Sequence, residues 1–220
     1  VDVGAYVLTA VVAYLLGSTP TGYLVAKASG VDIRSVGSGN IGATNVFRTV
    51  GKSAGICVLV FDGLKGYAAC AWLPDLVIRY MISHAVAPTS WNFAETLHIV
   101  GGVSAILGHN YTCWLKFKGG KGIATSAGVL AALVPWALIV ILTIWIILFA
   151  VTRYVSVASI AASVALPFAA FLTGSSGTLV AVTGAMAVLA VYKHRGNIQR
   201  LLNGTESRFG RKPREQPRPL

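Results

Sequence analysis

Long apolar runs alternate with short polar, glycine-rich ones along this chain. The apolar runs occupy residues 3–26, 53–73, 94–111, 123–152, 155–172 and 178–192. A bilayer core about 30 Å thick needs about 20 consecutive apolar residues in a helix, so the runs predict membrane-spanning helices. GSTPTG at 17–22 interrupts the first run. There Pro20 predicts a kink whose freed carbonyls Ser18, Thr19 and Thr21 can rebond, and a plain kink and a binding role both fit. The start of that run has no basic segment before it and reads as a retained span, not a cleaved signal. Residues 27–52 are too polar to cross, but Ile41, Val46 and Phe47 are expected to hold them at the interface. Residues 74–93, with Arg79, His84 and Pro88, are expected to form an outward loop.

The run 123–152 is ambiguous by length. As one helix it would be about 45 Å long, and as two helices broken at Pro135 each would be about 20 Å. Charge decides between them. With the break and the N-terminus outside, Lys27, Arg34, Arg48, Lys52, Lys116, Lys118, Lys121, Arg153, Lys193, Arg195, Arg200 and the tail face the cytoplasm, and only Arg79 faces out. Without it, Arg153 moves to the side opposite Lys116, Lys118 and Lys121. The positive-inside rule favours the break. The predicted fold is an all-α, polytopic integral membrane protein with about seven transmembrane helices and re-entrant or interfacial polar loops. It comprises a membrane domain at 1–205 and a basic, disordered tail at 206–220 containing Pro213, Pro217 and Pro219.

Composition agrees with this reading. Of 220 residues, 55 % are hydrophobic and 11 % charged, less than half the charged share of about 25 % in soluble domains. The net charge of +11 lies between apolar runs and in the tail, without the aromatic-basic platform of an RNA-binding surface, so no nucleic-acid partner is expected. Cys57, Cys70 and Cys113 show neither Cys-x-x-Cys spacing nor a Cys/His cluster suited to zinc, and no metal is expected.

The polar segments carry the chemistry. Residues 108–126, GHNYTCWLKFKGGKGIATS, thread Gly119, Gly120 and Gly122 around Lys121, close to Lys116 and Lys118. Glycine amides beside lysines can cradle an anion, and a helix starting in the following run would add its partial positive charge. A cytoplasmic anchor for a membrane helix is the competing reading. The segment is not a P-loop, because Ile123 stands where Ser or Thr would be required. VGSGNIGATNVFR at 36–48 offers donors and little negative charge. It suits either a ligand with several oxygens or a re-entrant loop satisfying its own backbone. Asp62 and Lys65 share one helical face, where buried charges are paired or functional. His109 and His194 lie near basic loops, but neither begins an HxxxxD dyad, since Trp114 and Gln199 occupy the acid's positions. No Gly-x-Ser-x-Gly elbow exists. An enzyme without an evident nucleophile or dyad suits a substrate that is already activated.

Five segments in order, GSGNIGATNVFR, FDGLKG, GHNYTCWLKFKGGKGIATS, YVSVASI and KHRGNIQRLLNGTE, resemble the signature set of the PlsY family, bacterial acyl-phosphate:glycerol-3-phosphate acyltransferases. The resemblance implies transfer of a fatty acyl group from acyl-phosphate to the 1-hydroxyl of glycerol 3-phosphate, giving lysophosphatidic acid and phosphate at the cytoplasmic face of the bacterial inner membrane. It implies no cofactor, no acyl-CoA and no acyl carrier protein. By motif, Ser38, Arg48, Lys121, His194 and Asn197 are implied as the catalytic contacts to glycerol 3-phosphate. Thr44 and Ser159, with the Gly119 and Gly120 backbone, are implied as the phosphoryl hole, and Asn40, Asn45 and Lys65 as further substrate-binding residues. The acceptor's own phosphate is the implied proton acceptor, and His194 is the side-chain alternative as base. The rival function is a membrane transporter of an organic or inorganic phosphate anion, although no internal repeat supports it.

Overall fold

A computed structural model describes residues 2–88 and 90–210. Among the described residues all regular structure is helical. The chain forms two compact units, Val1–Leu138 and Ile139–Leu220.

In the first unit, α1 (Asp2–Ser18) and α2 (Thr21–Ala28) flank the expected break around Pro20. A polar loop then leads to the short α3 (Ala43–Thr49). Next, α4 (Lys52–Tyr67), a π-helical turn (Ala68–Trp72) and α5 (Leu73–Ser83) run on as one 32-residue apolar helix. The expected loop at 74–93 is therefore corrected, because its first ten residues, Arg79 included, are helical. Pro74 is tolerated because it sits in the first turn of α5, beside the π turn. The carbonyl of Cys70, four residues before Pro74, receives instead a hydrogen bond from His98 Nδ1 at 2.7 Å. That partner lies far away in sequence, on α6 (Phe93–Asn110), so local reading of a proline could not supply it.

Small residues let these helices approach closely, as membrane helices require. A Cβ on Gly17 of α1 would collide with the Ala105 carbonyl of α6, and one on Gly108 of α6 with that of Tyr14. Hydroxyls stitch the same interface: Tyr14 donates to the Tyr111 carbonyl at 2.7 Å and Thr112 to that of Ser18 at 2.6 Å. A 3₁₀ turn (Cys113–Leu115) and a glycine-rich loop precede α7 (Ile123–Leu133), which packs on α4 where Gly66 faces the Thr125 carbonyl and Gly128 that of Gly63.

The run 123–152 does break. Val134, with φ −143° and ψ 62°, separates α7 from α8 (Pro135–Thr152). The break is one residue earlier than Pro135, since the residue preceding a proline is pushed out of the helical region. The pieces are unequal, 11 and 18 residues, and α7 is shorter than a full span.

The second unit holds most of α8, then α9 (Val155–Leu172), α10 (Gly177–Lys193) and α11 (Arg195–Leu202). The turn between α9 and α10 ends on Ser176, whose hydroxyl caps α10 by accepting from Leu179 N–H at 3.2 Å. α10 and α11 meet at 53° around His194. The ordered chain continues past Thr205. Glu206 bonds to α9 and α11, and the Phe209 amide donates to the Arg153 carbonyl at 2.8 Å. Residues 211–220, the remainder of the segment expected to be disordered, lie outside the described residues.

Four described helices are long and apolar enough to cross a bilayer, or five with the bent α10–α11 pair. Their large side chains stay exposed, among them Trp136, Ile147 and Val151 on α8 and Phe168 on α9. That is the surface of a protein whose solvent is lipid. The molecule is an all-α integral membrane protein.

Candidate active site

The loop from Gly30 to Gly42 folds around one side chain. Asn45, in the first turn of α3, is buried beneath it. Its Oδ1 accepts the Ser38 amide at 3.0 Å. Its Nδ2 donates to the carbonyls of Asn40, Val36 and Ile33 at 2.9, 3.1 and 3.3 Å. Gly37 and Gly39 take positive φ, 59° and 68°, and a Cβ on Gly37 would strike Asn45 Oδ1. The GSG pattern is therefore needed for the wrap. Asn40 makes its own turn, its Oδ1 accepting the Gly42 amide at 2.8 Å. The amide of Asn45 is thus engaged by the loop backbone. Ile33, Ile41 and Val46 pin it to α2 and α4 through a small apolar cluster that Leu115 also joins. That cluster brings the 29–51 segment and the segment before Lys121 to the same end of the first unit.

The Gly119 and Gly120 amides have backbone partners. They donate to the Asn110 and His109 carbonyls at 3.2 and 3.0 Å and cap the last turn of α6, whose carbonyls would otherwise lack partners. Glycine is required by close approach: a Cβ at Gly119 would hit the His109 carbonyl and one at Gly120 the His109 ring. Gly122, at φ 78°, is the N-cap of α7 and makes no side-chain cap there. The helix N-terminus expected beside Lys121 is present, and its first amides and Lys121 supply positive potential.

Behind this loop lies a buried ionic cluster. Lys65 Nζ sits 2.7 Å from Asp62 Oδ1 and donates at 2.8 Å to the Thr19 carbonyl, which also accepts the Thr21 amide at 3.0 Å. His109 Nδ1 lies 3.6 Å from Asp62 Oδ1. Lys65, expected as a substrate contact, thus has its ammonium turned toward Asp62 and the α1–α2 break.

In the second unit, Glu206 is a hub. Its Oε1 accepts from Asn197 Nδ2 at 2.6 Å and Ser156 Oγ at 2.8 Å, and its Oε2 from Arg200 Nε at 2.7 Å. One amide hydrogen of Asn197 is therefore used in orienting that side chain. His194 Nδ1 faces the Ala190 carbonyl at 2.8 Å, so Nδ1 carries a hydrogen and Nε2 is the basic nitrogen of the neutral ring. Ser159 Oγ accepts from Trp145 Nε1 at 3.1 Å and is buried. Burial pushes the Glu206 carboxyl up, but the bonds from Asn197, Ser156 and Arg200 outweigh it and hold it below the usual range. A lowered acid favours folding above its unfolded pKa and loses that contribution as pH falls through its folded value. Glu206→Gln is expected to lower the melting temperature at pH 7. Its gap from the parent should close below about pH 4.5, which thermal unfolding across pH would record.

Sequence reasoning passed over Asp62 and His109 as partners and Glu206 as a hub. Glu206 had a signal: it is the lone carboxylate between Lys193 and Arg208, so it was bound to attract those cations. The His109–Asp62 contact joins residues 47 positions apart in sequence (109 − 62), and no spacing rule reaches it.

Comparison with known proteins agrees with this architecture. The family model described as Glycerol-3-phosphate acyltransferase matches residues 7–204. The "Glycerol-3-phosphate acyltransferase" of Geotalea daltonii is 48 % identical over 199 residues, covering 90 % of this chain and 95 % of the relative. That of Geobacter sulfurreducens is 46 % identical, covering 92 % and 96 %. Two crystal structures of PlsY, an integral membrane glycerol 3-phosphate acyltransferase, also match. The glycerol 3-phosphate form has a TM-score of 0.78 at 38 % identity, covering 93 % of this chain and 96 % of that one. The lysophosphatidic acid form has 0.76 at 36 %, covering 93 % and 95 %. A match over nearly the whole length of both partners, in sequence and in fold, places this chain in the glycerol-3-phosphate acyltransferase family of PlsY.

Proposed function

We propose that this protein transfers a fatty acyl group from acyl-phosphate to the 1-hydroxyl of glycerol 3-phosphate. The carrying observation is the pair of related crystal structures, one in a glycerol 3-phosphate form and one in a lysophosphatidic acid form, which are the acceptor and the ester of such a transfer. Acyl-phosphate as donor follows from the motif resemblance and from chemistry. A mixed anhydride carries its own leaving group, so the protein needs no nucleophile, only alignment and neutralisation of phosphate charge.

In this reading the 1-hydroxyl oxygen attacks the acyl carbonyl carbon, the new C–O ester bond forms, and the C–O bond to phosphate breaks, its electron pair leaving with inorganic phosphate. The hydroxyl proton passes to the phosphate of the acceptor, with His194 Nε2 as the alternative. Arg48 offers a planar fork and Lys121 a point charge to phosphate oxygens. Ser38, His194 and Asn197 complete the grip on glycerol 3-phosphate. Thr44 and Ser159, with the Gly119 and Gly120 backbone, serve the departing phosphoryl group. Asn40 and Asn45 act by holding the loop that carries Ser38. About seven spans with the N-terminus outside and the active face in the bacterial cytoplasm follow from the positive-inside pattern. The membrane portion extends over 1–205, with a basic C-terminal tail.

The test is purified full-length protein in detergent with acyl-phosphate and glycerol 3-phosphate. Phosphate release that requires both, with lysophosphatidic acid formed one for one, is the expected result. Ester formation from acyl-CoA alone would replace the donor. Phosphate-ester uptake into vesicles without ester formation would make the protein a transporter.

A further inference from the structure

We propose that Asp62, Lys65 and His109 form a buried positioning device that sets the Gly119–Lys121 loop against the α1–α2 break, so that the grip on the acceptor phosphate depends on residues that do not touch it. This rests on the acyltransferase reading above. The chain of contacts is continuous and lies wholly within the first unit. The Thr19 carbonyl receives Lys65 Nζ, Lys65 pairs with Asp62, and the same Asp62 oxygen faces His109 Nδ1. The far side of the His109 ring lies against Gly120, where a Cβ would strike Nε2, and the His109 carbonyl accepts the Gly120 amide. Lys121 follows directly.

Each link has a physical reason. Asp62 and Lys65 are both buried, where an ion pair persists only if its partners hold each other closely. The 3.6 Å separation of His109 from Asp62 is longer than a hydrogen bond, so the carboxylate acts on the ring as a nearby charge and keeps Nδ1 turned toward α4. That orientation places Nε2 beneath Gly120, where nothing larger than hydrogen fits. Turning the ring would push it into the loop backbone next to Lys121. The device also ties GSTPTG to FDGLKG, since the Thr19 carbonyl of the first takes Lys65 of the second as an added donor.

The experiment compares Asp62→Asn, the double variant Asp62→Asn/Lys65→Met, and His109→Gln with the parent. Melting temperature in detergent, and kcat and KM for glycerol 3-phosphate with acyl-phosphate as donor, are the measurements. Asp62→Asn strands the Lys65 charge and is expected to lower the melting temperature. The double variant removes both charges and is expected to regain most of it, because no unpaired ion remains buried. If the cluster were only a structural ion pair, activity would return with stability. Under this proposal it does not return: KM for glycerol 3-phosphate stays raised about tenfold or more while kcat changes less, the pattern of a weakened substrate grip. His109→Gln, which keeps the ion pair, should melt near the parent and show the same rise in KM. Wild-type kinetics in the double variant or in a folded His109→Gln protein would overturn the proposal, as would loss of the fold in all three. A parent protein that is itself inactive with the two substrates would overturn the acyltransferase reading instead.

Discussion

Asn45→Ala is expected to unfold the 33–40 loop and to eliminate activity along with it. One side chain accepts the Ser38 amide and donates to three loop carbonyls. Removing it strips the loop of four hydrogen bonds, one of them to the buried Ile33 carbonyl and three part-buried; a buried unpaired group costs roughly 1–3 kcal/mol, and water offsets part of that at the part-buried ones. With partial relaxation, a total of about 3–5 kcal/mol is expected, at the upper end for single substitutions. Thermal unfolding in detergent would register it. Asn45→Asp is the informative companion: it keeps an acceptor for Ser38 but presents a second oxygen to three carbonyls that need a donor. It should rescue nothing. An Asn45→Ala protein that melts with the parent and retains its kcat would show that the loop holds its form without this side chain.

Arg48→Ala and Lys121→Ala are expected to leave the fold in place and to reduce acyl transfer by about a hundredfold or more each. In the proposed reading these two cations grip the acceptor phosphate before and during transfer, so their loss weakens both substrate binding and the transition state; a lost active-site donor of this kind costs about 2.7–4 kcal/mol. Arg48 lies in the last turn of the short α3 and is exposed, so truncation opens no cavity. Arg48→Lys should recover only part of the loss, since an ammonium cannot reproduce the planar fork. The measurement is phosphate release requiring both substrates, at saturating donor. Full activity in either alanine variant would remove that residue from the site.

Parts of the active-site region were legible one segment at a time. The 36–48 segment was readable as a loop that can satisfy its own backbone, because lipid-depth loops must bury such groups. A helix beginning beside Lys121 was readable because a long apolar run follows it. The Asp62/Lys65 pair was readable because two charges three residues apart inside an apolar run have few other partners. The backbone partners of the Gly119 and Gly120 amides were not legible, for an equally clear reason. Glycine marks a place where backbone comes close to something, and sequence does not say whether that is a ligand or, as here, the end of α6. The loop expected after Pro74 failed similarly. A proline normally ends a helix, yet here the carbonyl it leaves unpaired is met by His98 from a different helix.

By itself the sequence determined the solvent, the helical class, the break before Pro135 and the chemistry of the polar loops. Each of these follows from a few neighbouring residues and from the impossibility of leaving backbone groups or charges bare in lipid. Tertiary structure alone decided which group meets which: Lys65 with Thr19, His109 with Asp62, the Gly119 and Gly120 amides with α6, and Asn197 with Glu206. Those pairings depend on helices packed through Gly17, Gly66 and Gly108 at near backbone contact, a distance set by both partners at once and written in neither alone.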